Sequence, residues 1–251
     1  LHLTFGAQGV EISGLYYDSR AVQPGGVFFA LRGMLVDGHR LIYNALAQGA
    51  AAVFMEKERP LPEGVAGVLV ENGRLAMARA AAAFYGDPTC GMPTVGVTGT
   101  NGKTTITYQI EAVLRAAGFD PAVLGTISYR HGDSNIAAPN TTPESVDLLK
   151  AIAGFKADGA DSVVMEVSSH ALEQHRVDGV HFDVGIFTNL TPEHLDYHGT
   201  MEEYFRSKSR FFAEHLASGA KVINIDDSYG QELAKRFPDS MTCGTSSQAL
   251  V

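Results

Sequence analysis

The octapeptide Thr98-Gly99-Thr100-Asn101-Gly102-Lys103-Thr104-Thr105 stands between the apolar stretch 94–98 and a stretch with a helical pattern, 104–117. The first stretch predicts a buried strand and the second a helix that ends at a glycine. Between a strand and a helix, glycines let the backbone turn so that its N–H groups converge on phosphate oxygens at the positive end of the helix. The octapeptide therefore predicts a phosphate-binding loop, with Lys103 on the terminal phosphates and the Thr104 hydroxyl on Mg²⁺.

This loop departs from the GTPase pattern G-x-x-x-x-G-K-[ST], because Val97 stands where the first glycine is expected. The glycines fall at 96, 99 and 102 instead. A regulatory switch of the GTPase type would also need a base-reading Asn-Lys-x-Asp motif, and the sequence contains none. Such a switch remains the alternative from a different functional class.

Short apolar stretches continue after the loop and alternate with helical ones. Strands are predicted at 162–167, 184–188 and 221–225. Continuous apolar strands separated by helices are typical of a parallel sheet that is buried on both faces. We therefore predict an α/β fold whose central domain, 89–251, is a parallel-sheet nucleotide-binding domain.

Residues 1–88 predict a separate, smaller α/β domain. Pro24-Gly25-Gly26 makes a turn before the apolar run 27–31, and a helix over 41–48 is expected to end at Gly49. A second, alanine-rich helix over 76–84 is closed by Gly86-Asp87-Pro88. These turn residues mark the predicted boundary between the two domains.

Composition excludes several classes of function. The net charge is −9, from 19 Lys and Arg against 28 Asp and Glu, which disfavours sequence-independent binding to nucleic acid or to anionic membranes. No apolar stretch is long enough to span a membrane, and no secretory leader is seen. The two distant cysteines, Cys90 and Cys243, suit a reducing compartment. We expect a cytoplasmic monomer.

Six motifs together resemble the Mur ligases, in particular the branch that adds the third residue to the UDP-MurNAc peptide. They occur in the order and approximate spacing of that branch and cover essentially the whole chain. They are Asp18-Ser19-Arg20, Gly99-Thr100-Asn101-Gly102-Lys103-Thr104, Asn140-Thr141-Thr142-Pro143, Met165-Glu166-Val167-Ser168-Ser169-His170, Gln174-His175-Arg176 and Asn189-Leu190-Thr191-Pro192-Glu193-His194-Leu195-Asp196. The resemblance implies a UDP-binding first domain and an ATPase central domain. It implies that residues 99–105 bind ATP.

The resemblance also implies a magnesium site that contains Thr104, Glu166, His194 and Lys208, the last as a carbamate (N6-carboxylysine). Lys103, Glu166, His194 and Lys208 would be the catalytic residues. The residues alone leave other readings open. Glu166 ends an apolar strand, where it could pair with a cation, and Lys208 could be an ordinary solvated lysine. His194 and His198 are four apart, so on a helix they would share a face and could be surface residues or zinc ligands, although no third ligand is evident.

The substrate implied by the resemblance is UDP-MurNAc-L-Ala-D-Glu. Tyr17 and Ser19 match positions that cradle its uridine, and the segment 33–36 aligns with a uridine-contacting loop through different side chains. The positions that match contacts to its peptide, sugar and pyrophosphate are Asn140, Thr141, Thr142, Ser168, Gln174 and Arg176. Among these Arg176 is the natural anion ligand. Ordinary loop capping is the alternative for the Ser, Thr and Asn residues.

The implied reaction is ATP-driven amide formation through an acyl phosphate, with meso-diaminopimelate or L-lysine as the amine. A folate-type polyglutamate ligase shares the loop and the central fold, but it offers no reason for the first domain with its Asp-Ser-Arg motif. The chain opens on Leu1 and stops at Val251. We therefore expect a piece of a longer ligase that lacks a C-terminal domain, binds substrate and is inactive by itself.

Overall fold

A computed structural model describes residues 2–5, 11–33, 36–216, 218–245 and 249–250. The chain divides into two compact units, residues 1–81 and 82–251. Residues 34 and 35, part of the segment predicted to contact uridine, lie outside the described residues. The predicted domain boundary after residue 88 stays a prediction.

In the first unit, the described residues form one sheet in the order β1-β5-β4-β3-β2. The neighbours from β2 to β5 are parallel, and β1 pairs with β5 in the antiparallel sense. The strands are β1 (His2–Phe5), β2 (Leu15–Tyr16), β3 (Val27–Ala30), β4 (Ala52–Met55) and β5 (Ala66–Leu69), and the α-helices are α1 (Ile42–Ala47) and α2 (Gly73–Phe84). The predicted helix end is confirmed, because Gly49 follows α1 with φ +96°.

In the second unit, the described residues form a larger sheet in the order β13-β12-β11-β6-β10-β7-β8-β9. Its strands are β6 (Thr94–Thr98), β7 (Pro121–Leu124), β8 (Ser128–His131), β9 (Ser134–Ala137), β10 (Ser162–Glu166), β11 (Val184–Phe187), β12 (Ala220–Asn224) and β13 (Met241–Cys243). Its helices are α3 (Lys103–Ala116), α4 (Ser145–Ala157), α5 (Ser169–Glu173), α6 (Leu195–His198), α7 (Met201–Glu214) and α8 (Ser228–Arg236).

The predicted parallel sheet is confirmed from β13 to β7, and an antiparallel hairpin adds β8 and β9 at one edge. This hairpin was not predicted, because its strands are short and β9 is mostly exposed, so that an apolar pattern is missing there. The chain order reverses between β6 and β10. Ligands of open α/β sheets bind beside the carboxyl ends of the strands at such a reversal.

Two facing glycines bring α7 down onto the sheet. Gly96 of β6 and Gly185 of β11 are register partners. A Cβ at Gly96 would lie 2.4 Å from Cζ of Phe211, and a Cβ at Gly185 would lie 1.9 Å from Cδ1 of Leu216. Only hydrogen fits at these two positions, so that Phe211 of α7 packs directly on the strands. This close packing determines where the polar residues of α7 lie relative to the phosphate loop.

Thr200 is the N-cap of α7, since its hydroxyl accepts a hydrogen bond from the backbone N–H of Glu203 at 3.2 Å. The side chain of Glu203 pairs with Arg206 on the helix surface. Within the part of the chain that the structure describes, no helix is both long enough and apolar enough to cross a membrane.

Candidate functional site

The phosphate loop runs from the end of β6 to the first residue of α3, as predicted. Gly99 and Gly102 have φ values of +142° and +85°. Gly102 precedes α3 and makes no side-chain cap, so that the first N–H groups of the helix have no capping side chain. This is the backbone arrangement that binds anions at the N-terminus of a helix.

The segment after β11 holds the loop in place. The backbone N–H of Thr100 donates to the carbonyl of Asn189 at 2.9 Å, and the N–H of Asn101 donates to Asn189 Oδ1 at 2.9 Å. The Thr188 hydroxyl donates to the carbonyl of Asn101 at 2.7 Å, and the N–H of Thr191 donates to the Thr100 hydroxyl at 3.1 Å. These bonds hold the loop from one side.

Lys103 folds back over the loop that precedes it. Its Nζ donates to the carbonyls of Gly99 at 3.0 Å and Thr100 at 2.8 Å. Burial lowers the pKa of Lys103, against the attraction of the Glu166 and Glu193 carboxylates. The ammonium therefore lies where the loop turns, among backbone groups that a phosphate can replace.

Glu166 ends β10, with 1% of its surface exposed, and its carboxylate faces the loop. Oε1 accepts from the Thr104 hydroxyl at 2.8 Å and from the backbone N–H of Thr126 at 3.0 Å. Oε2 accepts from the Thr126 hydroxyl at 3.0 Å. The alternative of pairing with a cation is not what holds this side chain, because its contacts are hydroxyl and amide donors. A buried carboxylate held in this way is oriented and keeps lone pairs for a ligand.

Lys208 lies in α7 and is 2% exposed, so the alternative of a solvated lysine is wrong. Its Nζ donates to the carbonyl of Gly99 at 2.9 Å and lies 4.8 Å from the ring centroid of Tyr204. The same carbonyl accepts from Lys103. Burial, and after it the charge of Lys103, lower the pKa of Lys208 well below its usual range. Both effects favour the uncharged form of the amine relative to an exposed lysine.

His194 and His198 belong to a group of aromatic rings beside α7. His194 precedes α6 with φ +56° and His198 ends that helix, so the two residues are not both helical and the spacing argument for a shared helix face does not apply. Their rings lie 4.8 Å and 5.6 Å from the ring of His170, centroid to centroid. His198 Nε2 lies 2.9 Å from the Ser169 hydroxyl. Burial lowers the pKa of His170 and of His198.

Four of the residues predicted to contact the UDP-muramyl substrate lie together beyond β10. The Thr142 hydroxyl donates to the carbonyl of Glu166 at 2.8 Å and accepts from the N–H of Ser168 at 3.1 Å. Arg176 donates to the carbonyl of Thr142 at 2.9 Å and to Gln174 Oε1 at 2.7 Å. These side chains are therefore joined to the strand that carries the Glu166 carboxylate.

Asn140 and Thr141 lie in the loop before α4, Tyr17 and Ser19 lie in the first unit, and Ser168 of the group beyond β10 has a second contact. The Thr141 hydroxyl lies 3.1 Å from the Thr126 hydroxyl, and the carbonyl of Asn140 accepts from Tyr129. Ser168 caps α5, where its hydroxyl accepts from the N–H of Ala171, which is the ordinary capping role. In the first unit, Tyr17 is partly exposed and Ser19 is buried. The substrate roles of all of them stay predictions.

Sequence reasoning missed several residues that shape this site. They are Thr126, Thr188, Asn189, Thr191 and Tyr204. Three of them were visible in the motif that begins at Asn189 or directly before it, but no chemical feature of the sequence assigned them to the loop. Tyr204 could not be found this way, because an aromatic residue in an amphipathic helix predicts packing alone.

Two models of protein families match the sequence of this chain. The model described as "Mur ligase middle domain" matches residues 97–250, and that described as "Mur ligase family, catalytic domain" matches residues 11–85. The chain belongs to the Mur ligase family. The resemblance to this family and the predicted α/β architecture are therefore confirmed.

The chain is similar to enzymes named UDP-N-acetylmuramoyl-L-alanyl-D-glutamate--2,6-diaminopimelate ligase, of which two from Geobacter are examples. That of Geobacter metallireducens is 60% identical over 235 residues, which cover 91% of this chain and 46% of the relative. That of Geobacter sulfurreducens is 56% identical over 231 residues, or 90% of this chain and 45% of the relative. The chain thus spans about half the length of the curated relatives it matches.

A solved structure of an enzyme of that name is 30% identical to this chain, with a TM-score of 0.82. The matched region covers 95% of this chain and 50% of the chain in that structure. The Mur ligase MurF from Thermotoga maritima, solved with ADP, is 22% identical with a TM-score of 0.64. The matched region covers 96% of this chain and 52% of the MurF chain. At this identity the match shows only that the two proteins share a fold.

Two of the four predicted magnesium ligands, Thr104 and Glu166, have a spacing that fits a magnesium ion. The Thr104 hydroxyl oxygen and Glu166 Oε1 are 2.8 Å apart. Two adjacent ligands of an octahedral Mg²⁺ lie about 2.9 Å apart, since each is roughly 2.0–2.1 Å from the ion. Among the residues that the structure describes, no three His, Cys, Asp or Glu side chains converge as a metal site.

We predict that Gly99→Ala destabilises this loop strongly. The new Cβ would lie 2.0 Å from Thr188 Oγ1 and 3.1 Å from the backbone of Asn189, at a φ that side chains rarely adopt. The free energy of unfolding should fall by about 3 kcal/mol, measured by urea denaturation. Gly118→Ala is the control, because its φ is +92° with nothing within 4 Å, and strain alone should cost about 1 kcal/mol. Equal losses for the two variants would contradict the clash.

Proposed function

We propose that this chain is the UDP-substrate- and ATP-binding part of a ligase that adds an amino acid to UDP-MurNAc-L-Ala-D-Glu. The observation that carries the proposal is the buried Glu166 carboxylate, which accepts from the Thr104 hydroxyl where the phosphate loop enters α3. The buried amine of Lys208, on the carbonyl of Gly99, completes the same site.

The protein groups can drive transfer of the γ-phosphate to the side-chain carboxylate of D-Glu, which gives an acyl phosphate. Loop amides and Lys103 bind the phosphates and offset charge as the phosphoryl group moves. Thr104, Glu166 and His194 would hold Mg²⁺, which supplies charge neutralisation on the phosphates. The amine of the incoming amino acid then attacks the acyl carbon, and the amide and phosphate result. Most of the acceleration comes from positioning and electrostatics.

We propose that Lys208 carries a carbamate. Its neutral amine attacks the carbon of CO₂, an N–C bond forms, and one proton leaves to solvent. The product is an anion in place of an amine, which suits a metal ligand beside two phosphate-bearing reactants. The support is the position of Nζ, which is buried and shares the carbonyl of Gly99 with Lys103, so that burial and the charge of Lys103 lower the pKa of Lys208.

We propose that the sugar, pyrophosphate and peptide of the substrate contact six residues, four of which belong to the group beyond β10. They are Asn140, Thr141, Thr142, Ser168, Gln174 and Arg176, and the uridine contacts Tyr17 and Ser19 of the first unit. Arg176 is the natural ligand for an anionic group, because a guanidinium matches phosphate and carboxylate geometry. We also propose a cytoplasmic location, which the free thiols of Cys90 and Cys243 support.

We propose meso-diaminopimelate as the amino acid, on the support of the names of both Geobacter relatives. L-Lysine is the alternative. Because the chain spans about half of those relatives, we further propose that residues 1–251 bind substrate without completing the reaction.

We predict that the full-length protein releases phosphate from ATP only when both UDP-MurNAc-L-Ala-D-Glu and one amino acid are present. The assay contains Mg²⁺ and offers diaminopimelate and lysine separately. Release with diaminopimelate alone would support the proposal, and release with lysine alone would correct the amine. Release with a different UDP-muramyl acceptor or a folate would move the protein to a sister family. Amide product from residues 1–251 by themselves would refute the proposal for this part of the chain.

A further inference from the structure

Arg176 is already bound to a carboxylate in this structure. Its Nη2 lies 3.1 Å from Glu144 Oε1, and the side chains are 14% and 13% exposed respectively. The other contacts of the guanidinium are the carbonyl of Thr142 and the amide oxygen of Gln174. The positive charge of Arg176, which we propose attracts an anionic group of the substrate, is therefore already paired with the negative charge of Glu144.

The backbone around Arg176 is built to present it in this position. His175 has φ +54°, so that the chain turns between Gln174 and Arg176 and their side chains meet. The ring of His175 is held by Asp178, with Nδ1 at 3.1 Å from Oδ1. A non-glycine residue in this conformation needs support from its surroundings, and the pairing with Asp178 supplies it.

The Glu144 side chain contacts Arg176 and does not cap the helix that follows it. It is the N-cap residue of α4, but its side chain makes no cap hydrogen bond. A carboxylate at a helix N-terminus is usually stabilised by the first N–H groups of the helix. Here the carboxylate instead lies against the guanidinium of Arg176.

One donor of Arg176 remains unused. The buried Nε–H has no hydrogen-bond partner among the described residues, whereas both terminal nitrogens have one. A buried donor without a partner costs free energy, unless a ligand or water satisfies it. A substrate anion can therefore bind at Nε, or it can compete with Glu144 at Nη2.

We propose that Glu144 sets the affinity of this site for the anionic UDP-muramyl substrate, as a counter-ion that weakens the attraction of Arg176. The inference rests on the proposed function, in which Arg176 contacts that substrate. A half-buried cation attracts an anion more strongly when its own counter-ion is removed. Glu144 thus keeps binding moderate, so that a product carrying the same anionic group can leave.

The test is Glu144→Gln in the full-length protein. Glutamine keeps the size of the side chain and an oxygen acceptor for Nη2, but it removes the charge. The Kd for UDP-MurNAc-L-Ala-D-Glu, measured by calorimetry with Mg²⁺ and a non-hydrolysable ATP analogue, should fall on the order of fivefold. The KM should fall in parallel without a rise in kcat, and the affinity should become more sensitive to salt.

Glu111→Gln is the matched control. Glu111, on α3, is also 13% exposed at its side chain and pairs with an arginine, Arg130, but neither member of this pair is a proposed substrate residue. It should leave Kd unchanged. In an Arg176→Gln background, where binding should be weaker, Glu144→Gln should no longer tighten it.

The outcomes separate the inference from the proposed function. A wild-type protein that does not bind UDP-MurNAc-L-Ala-D-Glu would refute the proposed function. Binding by the wild type with an unchanged or higher Kd in Glu144→Gln would overturn the inference alone, because Glu144 would then only position Arg176. An unaltered Kd in Arg176→Gln would overturn it as well, since Arg176 would not be a ligand.

Discussion

Glutamine at position 166 is expected to lower turnover of the full-length ligase by at least about a thousandfold, because several kcal/mol of charge stabilisation in the transition state depend on this carboxylate. The substitution keeps the shape of the side chain. An amide oxygen can still accept from the Thr104 hydroxyl and the Thr126 N–H, the two donors that now contact Oε1. The loss should therefore come from the missing charge and not from unfolding.

The measurement that separates these causes is the Mg²⁺ dependence of phosphate release, together with the thermal unfolding midpoint. For Glu166→Gln we expect a higher Mg²⁺ requirement and a midpoint close to that of the wild type. Glu111→Gln, which removes a half-buried carboxylate from α3, should retain near-normal turnover. Normal turnover in Glu166→Gln would remove this residue from the mechanism.

The strand, loop and helix around the phosphate site could be predicted because local patterns determine them. The apolar run of β6, the glycines of the loop and the helix that follows all carry their signal within a few residues. The position of Glu166 at the end of β10 could be predicted for the same reason. These elements needed no information about distant parts of the chain.

The surroundings of Arg176 could not be predicted, because its partners come from other elements. Glu144 precedes α4 and Thr142 belongs to the loop before it, whereas Arg176 follows α5. Sequence indicated a free anion ligand at this position. The structure shows a guanidinium that is already paired, which changes what the residue can do.

The burial of Lys208 is the clearest case of a feature that sequence conceals. A lysine in a charged amphipathic helix predicts solvent exposure. What buries it is the close approach of α7 to the sheet, which depends on the absence of side chains at Gly96 and Gly185. The two glycines can be read from the sequence, but the sequence does not show that α7 packs against them.

Alanine at position 208 is expected to reduce turnover by about a thousandfold or more, because the carbamate and its charge are lost together. Lys208 is buried against Gly99 and Tyr204, so that its removal leaves a small space beside the loop. A short carboxylate such as acetate or propionate can enter this space and supply the missing anion. Millimolar carboxylate should therefore restore part of the activity.

The rescue distinguishes a chemical role from a structural one. If Lys208 only packed against Tyr204, the charge of an added molecule would not matter. Acetate and its neutral isostere acetamide would then have the same effect on turnover. Lys208→Arg is the matched variant, since it keeps a cation that cannot form a carbamate under these conditions, and it should be inactive and not rescued. Loss of activity in Lys208→Ala without rescue by any carboxylate would count against the carbamate. Rescue by acetate but not by acetamide would show that the site needs a negative charge at the position of the Lys208 side chain.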